Sequence, residues 1–157
     1  MYGLLPVWKR KHGAHAEFLT ASVKLLRRIP DGLSFEQMAS LPAAGLTALD
    51  GLHSYGSLEG KRVAVNGATG GVGHFALQMA KNKGAIVTAV CSGPKADWAR
   101  ALGADTVIDY QEVDFTRSGL GYDIIFDAYG RLGFQRASPA LTKSGVYITH
   151  RQVQWTC

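Results

Sequence analysis

The pattern of hydrophobic and polar positions changes near residue 60. From Lys61 onward, short apolar runs rich in β-branched residues alternate with stretches of helical periodicity. That alternation is typical of a parallel sheet covered by helices. The predicted strands are Arg62–Val65, Ala85–Val90, Thr106–Asp109, Asp123–Phe126 and Gly145–Thr149. The pattern therefore predicts an α/β fold built on a doubly wound parallel sheet.

Helices are predicted in the gaps between these strands. One spans Gly71–Lys83, where apolar residues recur on a single face at helical spacing. Another spans Lys95–Leu102, and weaker helical turns are predicted around Asp114 and over Leu132–Leu141. No longer period is present beyond this alternation of strand and helix, which excludes a solenoid.

The first 60 residues are less regular. Ala14–Ser22 alternates weakly, as an edge strand does, and Pro30–Gly32 is a predicted turn. Ser34 followed three residues later by Gln37 matches a capping box, which predicts the start of a helix. A separate helix is predicted over about Pro42–Tyr55, because proline suits the first turn of a helix.

Composition narrows the class of protein. The chain has 157 residues, of which 46% are hydrophobic and 18% are charged. This length and hydrophobic content are sufficient for one globular core and argue against a disordered chain. Two cysteines, Cys91 and Cys157, cannot supply a disulfide framework or a four-thiolate zinc site. No apolar run reaches the ~18 residues that a membrane helix needs. We predict a cytoplasmic protein with no membrane insertion and no metal.

The formal net charge is +5, from 17 basic and 12 acidic residues. Only the Lys9–Lys11 run concentrates this charge. A run that short is more typical of a solvated loop than of a surface for nucleic acid or membrane. We therefore predict no nucleic-acid partner.

A glycine-rich turn follows the first strand of the predicted sheet. Residues 66–73 read Asn-Gly-Ala-Thr-Gly-Gly-Val-Gly and lead directly into an amphipathic helix. The first N–H groups of a helix suit the pyrophosphate of a dinucleotide, and Gly70 and Gly71 leave the backbone open to it. Gly73 permits close packing of helix on strand. The pattern G-x-G-x-x-G is incomplete, because Ala68 stands at its first glycine.

The end of the second predicted strand favours NADP(H) over NAD(H). An acidic residue there would accept hydrogen bonds from the ribose 2′-hydroxyl. Between the end of this strand and Asp97, however, the sequence has no acidic residue. The Ser92 hydroxyl and the Lys95 ammonium would accommodate a 2′-phosphate, and Arg100 would add charge one turn later. The alternative is that Lys95 is simply a solvated residue at the start of a helix.

Several segments, taken in order along the chain, resemble the medium-chain dehydrogenase/reductase superfamily. They are Gly13-Ala14 with Ala16-Glu17-Phe18, Leu41 to Ala48, Gly67 to Gly73, Ala80-Lys81 with Gly84-Ala85, and Leu102 to Asp105 with Asp109-Tyr110. The similarity is strongest to its zinc-independent quinone oxidoreductase branch and covers about residues 2–149.

The resemblance implies a domain organisation. Residues 42–149 would form a Rossmann-like dinucleotide-binding domain, and residues 1–41 the tail of a β-rich catalytic domain with its connecting segment. Residues 150–157 resemble no part of the family and form an atypical tail. Most of the catalytic domain, and with it most of the substrate pocket, has no counterpart in this sequence.

The resemblance also implies a function, which is hydride transfer from NADPH to a quinone or an α,β-unsaturated carbonyl. Thr47 would lie beside the nicotinamide, and Tyr110 would join Ser92 and Lys95 around the adenosine 2′-phosphate. Asp127 and the residues after it, as far as Gly130, would lie along the cofactor cleft. The turn that holds the pyrophosphate would comprise Gly67, Gly70, Gly71, Val72 and Gly73. The proton donor remains unassigned, and homodimer formation is left open.

Two alternatives stay open. The spacing of Gly67, Gly71 and Gly73 also fits the short-chain dehydrogenases, but no tyrosine of this chain has a lysine four residues later, as their acid catalyst requires. The second alternative is an NADP(H)-binding module or truncated remnant without catalysis. Hydride transfer needs an enclosed, dry site, and half of the cleft would admit water.

Overall fold

The computed structural model describes residues 1–5, 14–53 and 55–149. The Lys9–Lys11 run and the tail over 150–157, which includes Cys157, lie outside the described residues. The chain divides into two compact units, Met1–Leu46 and Thr47–Cys157. No helix of the described ranges combines the length and the apolar character needed to cross a membrane.

The first unit contains a small antiparallel sheet of two strands, β1 (Tyr2–Gly3) and β2 (Leu26–Arg27). The strand predicted over Ala14–Ser22 is wrong, because that segment has no partner strand. Its side chains are almost all exposed, and the amide of Ala16 donates to the carbonyl of Ala14 at 3.0 Å, which turns the chain locally. An extended segment without a neighbouring ladder has nothing to stabilise it.

Helix α1 (Phe35–His53) begins in the first unit. The predicted capping box is confirmed, since the Gln37 amide donates to Ser34 Oγ at 3.2 Å and the Ser34 amide donates to Gln37 Oε1 at 2.9 Å. The separate helix predicted from Pro42 is wrong, because α1 runs through that residue without a break. Pro42 and Met38, whose carbonyl loses its helical partner, are both buried, so packing offsets the missing hydrogen bond.

The second unit is built on five parallel strands. They are β3 (Arg62–Asn66), β4 (Ile86–Cys91), β5 (Thr106–Asp109), β6 (Tyr122–Asp127) and β7 (Leu141–Thr149). Their order across the sheet is β5-β4-β3-β6-β7, with β3 in the centre. The predicted α/β fold with a doubly wound, Rossmann-like parallel sheet is therefore confirmed, and all five predicted strands are present.

The helices of this unit are shorter than predicted. They are α2 (Gly73–Asn82), α3 (Ala96–Ala101) and α4 (Phe134–Ala137), with single 3₁₀ turns at Gly93–Lys95, Phe115–Arg117 and Ser138–Ala140. The helical turns predicted over Leu132–Leu141 end early, because β7 already begins at Leu141. A register shift opposite the start of β6 lets the polar residues before Gly145 belong to the strand.

The core lies on both faces of the sheet. Successive side chains of a strand point to opposite faces, so Val63 and Val65 pack in one buried cluster with Ala76 of α2. Ala64, between them, belongs to a second cluster on the other face with Phe115. This three-layer packing holds the carboxyl ends of the strands along one edge, which is where ligands bind in open α/β sheets.

Candidate functional site

Polar residues end the strands at the carboxyl edge of the sheet. Asn66 ends β3 and lies opposite Asp127, the last residue of β6. Cys91 ends β4 and lies opposite Asp109, the last residue of β5. The chain leaves β3 toward β4 on one side, while β6 lies on the other side, so the crevice between these connections is a topological switch point.

The glycine-rich turn lies at this switch point. The amides of Gly67 and Ala68 donate to the carbonyl of Val90 at 3.0 and 3.1 Å, which ties the turn to the end of β4. Gly67 has φ +76°, a conformation that favours glycine. A Cβ at Gly73 would clash with the backbone of Gly67 and Ala68, so the start of α2 approaches β3 as closely as backbone allows. The turn therefore requires glycine at both positions.

The outer side of the same turn is open. Gly70 and Gly71 are exposed, and a Cβ built at Gly71 would meet nothing within 4 Å. Val72, half-buried, precedes the first residue of α2. The amides of Gly71, Val72 and Gly73 have no acceptor among the described residues. These amides at the start of the ten-residue helix α2, next to glycines without side chains, form a cradle that fits a phosphate group.

His74 also supports the turn from the first turn of α2. Its ring Nδ1 lies 2.9 Å from the Gly70 carbonyl, and because a carbonyl only accepts, Nδ1 carries the proton of this hydrogen bond. The ring stacks on Trp98 of α3 with centroids 6.1 Å apart. The contact links α2 to the helix that follows Ser92 and Lys95.

The predicted 2′-phosphate residues follow β4. Ser92 is half-buried and Lys95 is exposed at the start of α3. Arg100 forms an ion pair with Asp97 at 2.7 Å, so its charge is already partnered. Sequence reasoning missed Asp109, whose Oδ2 lies so close to Gly93 that a Cβ there would be 2.5 Å from it. The Asp109 carboxylate, at the end of β5, therefore lies next to the segment after β4 that carries the predicted cations.

Asp109 also affects Cys91, which is buried at the end of β4. Burial and then the Asp109 carboxylate raise the pKa of the Cys91 thiol. The thiol is therefore kept neutral, which does not suit a metal ligand or a nucleophile. Among the described residues, no group of three histidine, cysteine or acidic side chains could hold a metal ion.

A groove of about 350 Å³ opens between the connections after β3, β5 and β6. Two exposed tyrosines, Tyr110 and Tyr129, stand on it, and the Arg131 guanidinium lies 5.7 Å from the centre of the Tyr129 ring. Its lining comprises Asn66, Gly67, Tyr110, Val113, Asp114, Phe115, Tyr129, Arg131, Leu132 and Arg136. Aromatic rings, an apolar floor and arginines suit a planar heteroaromatic ring that carries anionic groups.

The structure brings only some of the predicted residues to this groove. Gly67 and Tyr110 line it, whereas Ser92 and Lys95 follow the neighbouring strand and Thr47 lies half-buried in α1. Tyr129 also lines the groove and lies within the range 127–130 that was predicted along the cofactor cleft. Arg131 was missed, although it follows the same strand at the carboxyl edge, where ligands bind in such sheets.

Asp127 is fully buried and is not part of the groove lining. Its Oδ1 accepts from Asn66 Nδ2 at 2.8 Å and from the Gly130 amide at 3.0 Å. Its Oδ2 accepts from the Leu132 amide at 3.0 Å and from the Tyr147 hydroxyl at 2.7 Å. The carboxylate thus fixes the backbone at Gly130 and Leu132, next to the residues that line the groove.

Comparison with known proteins agrees with this arrangement. Residues 71–149 match the zinc-binding dehydrogenase family. The chain is 36% identical over 146 residues to the chloroplast envelope quinone oxidoreductase homolog of Arabidopsis thaliana, covering 87% of this chain and 44% of the relative. It is 39% identical over 138 residues to a mitochondrial NAD(P)H oxidoreductase of Homo sapiens, covering 83% and 34%.

Two solved structures share the fold. The quinone oxidoreductase of Thermus thermophilus, solved also in complex with NADPH, superposes with a TM-score of 0.79 at 29% identity, covering 92% of this chain and 47% of that one. The quinone oxidoreductase of Coxiella burnetii gives a TM-score of 0.77 at 37% identity, covering 82% and 41%. This chain spans less than half the length of each of these relatives. From its fold, its glycine-rich turn and these matches, the chain belongs to the medium-chain dehydrogenase/reductase superfamily, in the quinone oxidoreductase-like branch.

Proposed function

We propose that this chain binds NADP(H) and forms the nucleotide-binding portion of an oxidoreductase that reduces a quinone or an α,β-unsaturated carbonyl. The observation that carries the proposal is the glycine-rich turn at the switch point of the sheet. Gly73 in this turn has no room for a side chain, whereas Gly71 faces open space that a ligand can enter. A dinucleotide fits this cradle because it brings negative charge to free amides at the start of α2. When bound, the nicotinamide supplies the hydride.

Each part of the cofactor has residues that would hold it. The turn over 67–73 would bind the pyrophosphate, and Tyr110 with Tyr129 would face the adenosine across the groove. Thr47 is proposed, from the resemblance, to lie beside the nicotinamide. The relatives named as NAD(P)H and quinone oxidoreductases support the cofactor and the quinone class. A further relative, a trans-enoyl reductase of Aspergillus terreus that is 37% identical over 140 residues, supports the α,β-unsaturated carbonyl class.

The preference for NADP(H) depends on a balance of charges after β4. Ser92 and Lys95 favour a 2′-phosphate, whereas the Asp109 carboxylate beside Gly93 opposes it. Lys95 is exposed and has no acidic partner closer than 4.0 Å among the described side chains, so it is available to the phosphate. We propose that the cation prevails and that NADPH binds more tightly than NADH.

Titration of the purified chain with NADPH and with NADH, followed by calorimetry, tests the assignment. We expect tighter binding of NADPH, a loss of that preference in Lys95→Gln, and a gain in Asp109→Asn. Lys24→Gln is the matched control, because Lys24 is an exposed lysine of the first unit. Tighter binding of NADH to the wild type would contradict the NADP(H) assignment, and no binding of either would contradict the function itself.

A second candidate function is an NADP(H)-binding module without catalysis. The observation behind it is that the glycine-rich turn and the groove account for binding of the dinucleotide, whereas no described residue is assigned as the proton donor. Measuring NADPH-dependent turnover of a simple quinone beside NADPH affinity separates the two. Binding with turnover supports the oxidoreductase, and binding without turnover supports the module.

The remaining predictions stay predictions. They are the domain boundaries at 41 and 149, the cytoplasmic location, the absence of metal and the homodimer. The names of two relatives place them in the mitochondrion and the chloroplast envelope. Subcellular imaging, elemental analysis after dialysis against a chelator, and sedimentation of the purified chain would test them in turn.

A further inference from the structure

Asp127 is the only buried acidic side chain among the described residues, with 0% of its surface exposed. Burying a carboxylate is unfavourable unless hydrogen bonds compensate it. No ion pair with Asp127 is found in the described part of the chain, and its four partners are neutral donors. A buried polar group whose hydrogen bonds are all made rigidifies the structure around it.

Tyr147 of β7 is the hydroxyl partner of Asp127 and lies 20 positions after it in the chain. Its hydroxyl donates to Asp127 Oδ2 at 2.7 Å and accepts from the Gly133 amide at 3.1 Å. Burial, and then the hydrogen bond to Asp127, raise the pKa of the Tyr147 phenol. The phenol therefore remains a neutral donor through the physiological range of pH.

Together these two side chains hold one loop. Residues 128–133 connect β6 to α4, and the amides of Gly130 and Leu132 bond to Asp127 while the amide of Gly133 bonds to Tyr147. Three backbone amides of this six-residue loop are thus bonded to the buried Asp127 and the half-buried Tyr147. A loop held in this way has few alternative conformations.

The same loop touches both halves of the proposed cofactor site. A Cβ at Gly67 would lie 3.3 Å from the Tyr129 amide nitrogen, so the loop packs against the glycine-rich turn. Asn66, which precedes that turn, donates to the same carboxylate. Farther out, Tyr129 and Arg131 line the groove. Asp127 and Tyr147 therefore bond to Asn66, next to the turn, and to the backbone of the loop that carries the groove residues.

We propose that Asp127 and Tyr147 are positioning residues, which hold the loop over 128–133 against the glycine-rich turn and thereby preorganise Tyr129 and Arg131 for the dinucleotide. This inference rests on the proposed NADP(H)-binding function. It revises the role predicted for Asp127 from direct contact with the cofactor to positioning, because both carboxylate oxygens are occupied by the protein.

The test compares two tyrosines in the full chain, the half-buried Tyr147 and the buried Tyr122. Tyr147→Phe removes the hydroxyl that bonds to Asp127 and to the Gly133 amide. Tyr122→Phe, the matched control, removes a buried hydroxyl that has no hydrogen-bond partner among the described residues. In Tyr147→Phe we expect faster amide hydrogen exchange at Gly130, Leu132 and Gly133, and NADPH affinity lower by about tenfold. In Tyr122→Phe we expect both quantities unchanged.

Several outcomes would overturn the proposal. Unchanged exchange in Tyr147→Phe would show that the pair does not order the loop. Faster exchange with unchanged affinity, or equal losses of affinity in both variants, would remove the link to the cofactor. Failure of the wild-type chain to bind NADPH would overturn the proposed function, and the exchange data would then still decide whether the pair holds the loop.

A measurement on the wild-type chain covers the case in which Tyr147→Phe does not fold. Fluorotyrosine incorporated throughout the chain reports on each phenol by ¹⁹F resonance. We expect NADPH to shift the Tyr147 resonance and to leave that of Tyr122 in place. A shift at Tyr122 alone, or at neither, would count against the positioning role.

Discussion

At the scale of single residues, the glycines of the turn have two different duties. Gly73 has no room for a side chain, because its neighbours are backbone atoms of Gly67 and Ala68 that cannot move independently. Gly71 has open space around it and is free of positive φ. The first position serves packing, and the second serves the approach of a ligand.

Gly73→Ala is therefore expected to destabilise the protein, by about 1–3 kcal/mol, since overpacking against backbone forces a shift of the turn. Gly71→Ala is the matched control and should change the free energy of unfolding by less than about 0.5 kcal/mol. Urea unfolding followed by circular dichroism measures both. Equal stability of the two variants would contradict the close packing at Gly73. We further expect Gly71→Ala to weaken NADPH binding.

Asp105 is a second residue whose contacts determine a measurable property. Its carboxylate accepts from Lys81 Nζ of α2 and, at 2.7 Å, from the Val87 amide of β4. The hydrogen bond from Lys81, followed by that from Val87, lowers the pKa of Asp105 below its usual value of 3.8. A lowered pKa in the folded state means that the charged form favours folding.

The stabilisation from Asp105 is therefore present above about pH 4 and is lost as the pH falls through the folded-state pKa. We expect Asp105→Asn to be less stable than the wild type at pH 6 and to show a smaller further loss toward pH 3. Asp97→Asn, at an exposed ion pair with Arg100, is the control and should change little. Parallel acid unfolding curves for wild type and Asp105→Asn would contradict the assignment.

At the scale of elements, helix α1 depends partly on hydrogen bonds between neighbouring residues and partly on tertiary packing. Its first turn is specified by Ser34 and Gln37, whose side chains bond each other's amides. Its passage through Pro42 depends on burial of that residue. The start of the helix is thus a local property, and its length is not.

Removal of the cap tests the local part. Ser34→Ala should destabilise the protein by about 1 kcal/mol, because an amide of the first turn loses its acceptor. Ser40→Ala is the matched control, since the Ser40 hydroxyl donates to the Gln37 carbonyl within the helix and alanine is the better helix former there. Thermal unfolding distinguishes them. A Ser34→Ala variant as stable as the wild type would show that the cap contributes nothing.

At the scale of the whole molecule, the net charge of +5 complements the polyanionic cofactor that we propose. Lys95 and Arg131 are exposed cations near the carboxyl edge of the sheet, where salt screens their attraction for phosphates. The long-range part of this attraction affects association of the whole molecule with its ligand.

We therefore expect NADPH affinity to fall several-fold between about 50 mM and about 500 mM NaCl, since the Debye length shortens over that range. NADH, which lacks the 2′-phosphate, is the matched ligand and should lose less. Calorimetric titration at several salt concentrations measures both slopes. Equal slopes for the two ligands would contradict recognition of the 2′-phosphate by exposed cations.

The sequence by itself determined the features that depend on neighbouring residues. Alternating apolar runs specify strands and helices locally, so the five parallel strands and the turn over 67–73 could be predicted from periodicity and glycine spacing. The capping box at Ser34 is equally local. The order of motifs along the chain was sufficient to identify the superfamily.

Only the tertiary structure decided features that depend on contacts between distant residues. The Asp127–Tyr147 hydrogen bond joins residues 20 positions apart on the neighbouring strands β6 and β7. The close approach of Asp109 to Gly93 likewise brings the end of β5 to the segment that follows β4. The continuation of α1 through Pro42 likewise depends on burial. Periodicity records which face of an element is apolar, but not which side chain meets which across a sheet. The positions of the strands could therefore be predicted from the sequence, whereas the hydrogen bonds that shape the site depend on how distant elements pack together.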